Sequence, residues 1–216
     1  MKFASRQDAG RRLGELLREQ NAQADLVLGL PRGGVVVAAE VAQLLERPLD
    51  VLVVRKIGHP WHREFAVGAL AEAGVVVFDE ASLSEIPVVR SQLDKVVAEE
   101  AARLQSYCRQ FRLAGAPVLD GKAVLVVDDG LATGATAEAA VLSAKRQRAR
   151  RVMVATPVAS TKAVERLARV ADEVVALVTD PDFVAVGQYY RTFWATSDAE
   201  VLVLLSNEAR RGPSPP

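Results

Sequence analysis

An α/β fold on a doubly wound, mostly parallel sheet is what this sequence predicts, and three observations carry the prediction. Short runs of β-branched and apolar residues recur along the chain. Helix-like stretches fall between several of them. Two of the runs end in loops of small residues. Strands without polar alternation are buried on both faces, as in a parallel sheet. Strand and helix in alternation give right-handed crossovers that cover those faces.

The elements follow in order. "LVLGL" from Leu26 is the first strand, and "GLPRGG", Gly29 to Gly34, is the loop after it. Val35 to Leu45 reads as a helix. "VLVV" from Val51 is the second strand and continues into "VVRKIGH". There the alternation breaks. A polar, aromatic stretch, "HPWHREF", precedes "AVGALAEAGVVVFDE", which reads as a hairpin. A long helix follows, from about Val89 to Leu113. Its Leu93, Val96, Val97, Leu104, Tyr107 and Phe111 recur at three- and four-residue steps and form one apolar stripe. "AGAP" ends it. Hairpin and helix together make an insertion over about residues 65–115.

"VLVV" from Val124 resumes the sheet, followed by a helix from Ala137 to Arg148. "VMVATPV" from Val152, a helix from Thr161 to Val170 and "VVALV" from Val174 complete it. The segment "DPDFVAVGQYYRTFW" then gathers Phe183, Tyr189, Tyr190, Phe193 and Trp194. Ser197-Asp198-Ala199-Glu200 is a capping box that opens a C-terminal helix. Arg210 to Pro216 reads as a frayed tail.

The chain has 216 residues, of which 50% are hydrophobic, enough for a full core. No Pro-, Gly- or Ser-rich linker divides it, so a single domain over residues 1–216 is expected. The 27 basic and 27 acidic residues balance, which argues against bulk attraction to nucleic acid or an anionic membrane. A single cysteine, Cys108, allows no intrachain disulfide and suits a reducing compartment. It reads as a small apolar helix residue. "MKFASRQDAGRRL" holds no apolar signal core, and no apolar run approaches the ~18 residues that span a bilayer. A cytoplasmic protein with no membrane partner is expected.

The chemistry concentrates in "VLVVDDGLATGAT", Val124 to Thr136. Two adjacent carboxylates at the end of a buried strand repel each other and lose hydration. Either water covers them, or something hydroxyl-rich or cationic faces them. Gly130 and Leu131 lead into Ala132, Thr133, Gly134, Ala135 and Thr136, a small-residue loop entering a helix. Such a loop presents backbone N–H groups at a positive dipole end, and its threonines add hydroxyl donors. This is a phosphate cradle. One turn upstream, Asp128 and Asp129 are placed to accept hydrogen bonds from a vicinal diol, or to help hold a hydrated Mg²⁺ through water. Phosphate beside diol describes a ribose 5-phosphate. The loop is neither a Walker-type loop nor a dinucleotide fingerprint, because both signatures are missing.

This stretch resembles the phosphoribosyl pyrophosphate (PRPP) motif of type I phosphoribosyltransferases. The rest of the chain follows that family's order. "GLPRGG" sits at the pyrophosphate loop, and "VVRKIGH" where the flexible catalytic loop begins. The resemblance implies a hood over the base, formed from about residues 1–12 and 180–197. It implies that Asp128 and Asp129 receive the ribose hydroxyls and that Ala132 to Thr136 hold the 5-phosphate. Arg32, Gly33 and Gly34 would bind pyrophosphate with Mg²⁺ shared, and Arg55 and Lys56 would stabilise the departing charge. A cis peptide at Pro31–Arg32 is expected from the same likeness. Tyr189, Tyr190 and Arg191 are candidates for stacking on the base and reading its edge, with only one of the two adjacent tyrosines able to face it.

The implied reaction is Mg²⁺-dependent transfer of a phosphoribosyl group from PRPP to a small nitrogenous acceptor. Members acting on 6-oxopurines carry an acid where this chain has Ala132. Alanine transfers no proton, which points away from hypoxanthine and guanine toward orotate-like, adenine-like or unassigned acceptors.

Other readings stay open. The basic run "KRQRARR", Lys145 to Arg151, complements a helix C-terminus. As an RNA-contacting patch it would instead suit a PRPP-sensing regulatory protein. A silent partner packed by its long helix is a third reading. The aromatic segment is base pocket, core or the contact of a homodimer. His59 and His62 flank Trp61 as loop residues, without metal-ligand spacing.

Overall fold

The computed structural model describes residues 2–85, 90–112 and 115–211. In chain order the elements are α1 (Arg6–Glu19), β1 (Leu26–Gly29), α2 (Gly33–Leu45), β2 (Leu49–Val51), β3 (Val54–Gly58), β4 (Ala66–Ala71) and β5 (Val75–Phe78). They continue with α3 (Glu80–Glu85), α4 (Arg90–Phe111), β6 (Ala123–Val127), α5 (Ala135–Arg146), β7 (Arg151–Ser160), α6 (Thr161–Leu167), β8 (Glu173–Asp180) and α7 (Asp198–Arg211).

Five strands form a parallel sheet in the order β2-β1-β6-β7-β8. It is wound on both faces, as the alternation predicts. Val27, Leu125, Val127 and Met153 pack with Leu13, Leu17 and Val41 from α1 and α2. Leu28, Val124, Val126 and Val154 pack with Ala140, Ala144, Ala163 and Leu167 from α5 and α6. Because side chains alternate across a strand, continuous apolar runs serve both cores at once.

The second predicted strand is corrected. "VLVV" from Val51 is not one element: Val51 ends β2 in the parallel sheet, and Val54 opens β3 in a separate antiparallel sheet, β3-β4-β5. Leu52 and Val53 between them are also buried, so no polar residue marks the change of sheet. The hairpin is present as β4 and β5, joined through Ala73 and Gly74, both at positive φ (57° and 69°). The long helix is α4. Leu93, Val96, Leu104 and Phe111 of its predicted stripe are buried. Its predicted limits, Val89 and Leu113, and the tail beyond Arg211 lie outside the described residues.

Four helix limits move, among them the end of α5, at Arg146 rather than Arg148. α2 and α5 each begin two residues before the predicted starts, and α6 ends at Leu167. Gly33, Gly34, Ala135 and Thr136 therefore belong to first helical turns, where N–H groups lack intrahelical partners. α1 was not predicted. Ser5 caps it by accepting the Asp8 N–H. Ala9, Leu13 and Leu17 are buried along it, and Gly10 and Gly14 lie against α2.

Residues before α1 join the C-terminal aromatic segment. Phe3 N–H donates to the Tyr189 carbonyl and Arg191 N–H to the Phe3 carbonyl, each at 2.8 Å. The capping box is present: Glu200 N–H donates to Ser197 Oγ (3.2 Å) and Ser197 N–H to Glu200 Oε2 (2.7 Å). Four of the five cations of the basic run stand beside acids: Lys145 by Asp172, Arg148 by Asp120, Arg150 by Asp25 and Arg151 by Glu173.

Candidate functional site

Strand register brings two loops together. β1 and β6 pair in parallel with Gly29 beside Val127, so both chains leave the sheet at its carboxyl edge side by side. Leu30 N–H donates to the Val127 carbonyl at 2.9 Å. The Pro31–Arg32 peptide is cis, as expected. α2 then starts at Gly33, against the acid pair. A Cβ on Gly34 would stand 2.8 Å from the Val127 carbonyl oxygen and 2.9 Å from Asp128 Oδ1. A Cβ on Gly33 would collide with Asp129 Oδ2. Only glycine permits this approach.

The two carboxylates are part-buried. Burial first, and then the charge of Asp129, hold the Asp128 carboxyl well above its usual range, while Lys56 and Arg6 pull it down. Asp129 is also raised by burial, opposed chiefly by Arg6. The sign matters for stability. With the folded value above the unfolded one, the stability tied to Asp128 is full at low pH and is lost as pH rises through the folded value. Asp128→Asn removes that titration while keeping an oxygen for the Asp129 N–H, which Asp128 Oδ1 accepts at 2.9 Å. The unliganded variant should melt above the parent near neutral pH. The gap should close as pH falls toward about 4, the ordinary carboxyl value. Melting against pH checks this.

The cradle follows directly. Leu131 bridges to Ala159, and Ser160 Oγ donates to the Ala132 carbonyl at 2.6 Å. The same Oγ accepts the Ala163 N–H at 3.0 Å and so caps α6. Thr133 Oγ1 accepts the Ala135 N–H at 3.4 Å, and Gly134 precedes α5 with φ 76°. Ala132 and Thr133 are exposed, and Thr136 is half-buried. Glu138, an acid in the first turn of α5, is neutralised by Arg166, which also binds Asp79 Oδ1 at 2.9 Å. Ser160→Ala should loosen the loop and raise the dissociation constant for a sugar 5-phosphate about tenfold, the loss of one hydrogen-bonded anchor. Calorimetric titration of ribose 5-phosphate measures it.

The remaining candidates divide. Lys56 is exposed on β3, and its positive charge pulls both carboxyl groups down. Arg55 is not brought to them. Its Nε donates to Glu100 Oε2 on α4 at 2.9 Å, and its guanidinium lies over Tyr107. Adjacent strand residues face opposite ways. Arg32 reaches Asp198 Oδ1 at the start of α7 (3.5 Å).

Tyr189 and Tyr190 are both buried, at 5% and 4% exposure. The Tyr189 ring stacks on Phe183 and its hydroxyl donates to Asp180 Oδ2. The Tyr190 ring stacks on Phe193 and its hydroxyl donates to the Asp129 carbonyl at 2.6 Å. Arg191 is exposed beside them. The exposed aromatics of the segment are Trp194 (81%) and Phe193 (37%).

One group at the site was not read from the sequence. Arg6 Nε donates to Asp129 Oδ2 at 2.7 Å. Arg6 is the first residue of α1, where a cation opposes the helix dipole, and that position is the signal that it needs an anion.

A phosphoribosyl transferase domain model matches residues 4–194. The chain belongs to this family. It is 44% identical to "Putative phosphoribosyl transferase Rv0571c" of Mycobacterium tuberculosis over 209 residues, 96% of this chain and 47% of that protein. The chain thus spans about half the length of the curated relatives it matches. The crystal structure of TT1426 from Thermus thermophilus is similar at a TM-score of 0.78, with 44% identity, 96% of this chain and 99% of that one covered. The parallel sheet is therefore that of a phosphoribosyl transferase domain. Among the described residues no helix is long and apolar enough to cross a membrane.

Proposed function

We propose that this phosphoribosyl transferase domain transfers a phosphoribosyl group from PRPP to a small nitrogenous acceptor and releases pyrophosphate. The observation that carries this reading is the contact of Gly33 and Gly34 with Asp128 and Asp129 at neighbouring strand ends. An acid pair for the sugar hydroxyls lies between a cradle for the 5-phosphate and a loop for the pyrophosphate, the order of groups along PRPP.

Asp128 and Asp129 orient the ribose through its hydroxyls. The 132–136 loop and the first turn of α5 hold the 5-phosphate. The acceptor nitrogen forms its bond to the anomeric carbon as the carbon–oxygen bond to pyrophosphate breaks. Lys56 and the first-turn amides of α2 meet the charge that develops on the leaving group. Two part-buried carboxylates without a third ligand suit Mg²⁺ held through water; among the described residues no cluster of three or more ligating side chains exists. When bound, Mg²⁺ supplies charge neutralisation of the pyrophosphate.

Trp194, 81% exposed, is a better stacking candidate for the acceptor than the buried tyrosine rings or Phe193, whose ring already stacks on Tyr190 and lies under the Arg6 guanidinium. A panel of nitrogenous bases, each mixed with PRPP and Mg²⁺, tests the reading through pyrophosphate release. Base-dependent release supports it, and none with any base opposes it.

Gly58 to Glu64 joins β3 to β4 two residues past Lys56, with Trp61 62% exposed. A covering loop is needed there to keep water from an oxocarbenium-like sugar. Amide exchange over these residues should slow when PRPP and Mg²⁺ bind. Equal exchange with and without ligand would count against a lid.

A further inference from the structure

We propose that Arg6 is a latch that occupies Asp129 in the free protein and surrenders it to the sugar, so that the aromatic hood is released as sugar phosphate binds. This rests on the reading of Asp129 as a receiver of ribose hydroxyls.

The geometry is specific. The Arg6 side chain is only 11% exposed and makes three kinds of contact. Nε donates to Asp129 Oδ2, and Nη1 donates to the Trp194 carbonyl, each at 2.7 Å. The guanidinium carbon lies 3.8 Å from the centre of the Phe193 ring. A Cβ on Gly33 would meet Arg6 Nε at 2.7 Å, so the guanidinium also touches the pyrophosphate loop. One planar cation therefore joins α1, the hood, the acid pair and the loop of Arg32.

The contact competes with ligand. A charge-assisted hydrogen bond already takes Asp129 Oδ2, the oxygen nearest Gly33. Arg6 Nε on one side and Gly33 on the other crowd that oxygen, so a sugar hydroxyl that approaches it competes with Arg6. The same guanidinium holds the Trp194 carbonyl, so turning away removes a tether on residues 192–196. Hood and sugar site are thereby linked, and linkage is reciprocal: whatever frees the hood also frees Asp129. The Tyr190 hydroxyl, on the Asp129 backbone carbonyl, stays in place during the exchange and keeps the hood's base attached.

The test uses ribose 5-phosphate, which has the hydroxyls and the 5-phosphate but no pyrophosphate. Arg6→Gln should bind it about fivefold more tightly than the parent, because the competing cation is gone. Amide exchange over residues 191–197 should quicken in the parent when ribose 5-phosphate binds. In Arg6→Gln it should be fast from the start and unchanged by ligand. Arg6→Lys, whose single ammonium does not span both partners, should fall between, and it carries the test if the glutamine variant melts out.

Wild-type or weaker affinity in both variants, with ligand-independent hood exchange in the parent, would overturn the latch. In that case a parent chain that binds ribose 5-phosphate, and an Asp128→Asn chain that does not, would leave the site assignment standing. No binding of ribose 5-phosphate or PRPP by the parent would overturn both.

Discussion

Changing Asp128 and Asp129 together to asparagine is expected to weaken PRPP binding at least about a hundredfold and to leave the fold intact. Each carboxylate that receives a ribose hydroxyl contributes about 1.5–3 kcal/mol as a hydrogen bond to a charged group. Two of them come to roughly 3–6 kcal/mol, and each 1.4 kcal/mol is tenfold in affinity. The fold should survive because asparagine is isosteric. Residues Ala123 to Val127 beneath the pair keep their burial and strand pairing. The variant loses the ion pair of Arg6 with Asp129 but also the repulsion between adjacent carboxylates. Calorimetry with PRPP and Mg²⁺, beside a melting curve, separates the two effects. An unchanged dissociation constant would sink the assignment of the pair.

Gly34→Ala is expected to have the second largest effect. The methyl group would press on the Val127 carbonyl oxygen at 2.8 Å and on Asp128 Cα at 3.0 Å. Both belong to the backbone at the end of β6, which has no rotamer by which to yield. Overpacking of this kind costs about 1–3 kcal/mol. The strain falls between the two loops that must close on one ligand, so PRPP affinity should drop by at least about tenfold as well. Gly33→Ala meets movable side chains instead, Asp129 and Arg6, and should cost less stability. A Gly34→Ala chain with parental melting and binding would mean that the two loops do not need their close approach.

Much of this architecture is legible in the sequence because its strands are buried on both faces. Runs such as Val124–Val127 then need no register to be recognised. The two loops are legible because close approach to a ligand demands small residues in a fixed order. What escapes is equally physical. Leu52, Val53 and Val54 are all buried, so nothing in their polarity marks where the chain leaves one sheet for another.

Arg55 and Lys56 look alike in the sequence, but strand alternation sends Arg55 to Glu100 and leaves Lys56 exposed on the opposite face. Glu100 itself stands one helical turn from both Val96 and Leu104, on the apolar stripe of α4, and a charge there signals a buried partner. The tyrosines mislead because aromatic density does not say which rings are covered. Phe3, from the start of the chain, and Phe183, within the same aromatic segment, bury them. Arg6 signals only that it needs an anion; which one is not legible, because its partner is 123 residues away.

A crystal structure of the chain with PRPP and Mg²⁺ tests the central claim most directly. The expected result places the 5-phosphate within hydrogen-bond distance of the Thr133–Thr136 amides, the ribose hydroxyls on Asp128 and Asp129, and the pyrophosphate over Gly33 and Gly34. Saturating PRPP that leaves this edge of the sheet empty, or that binds elsewhere on the chain, would contradict it.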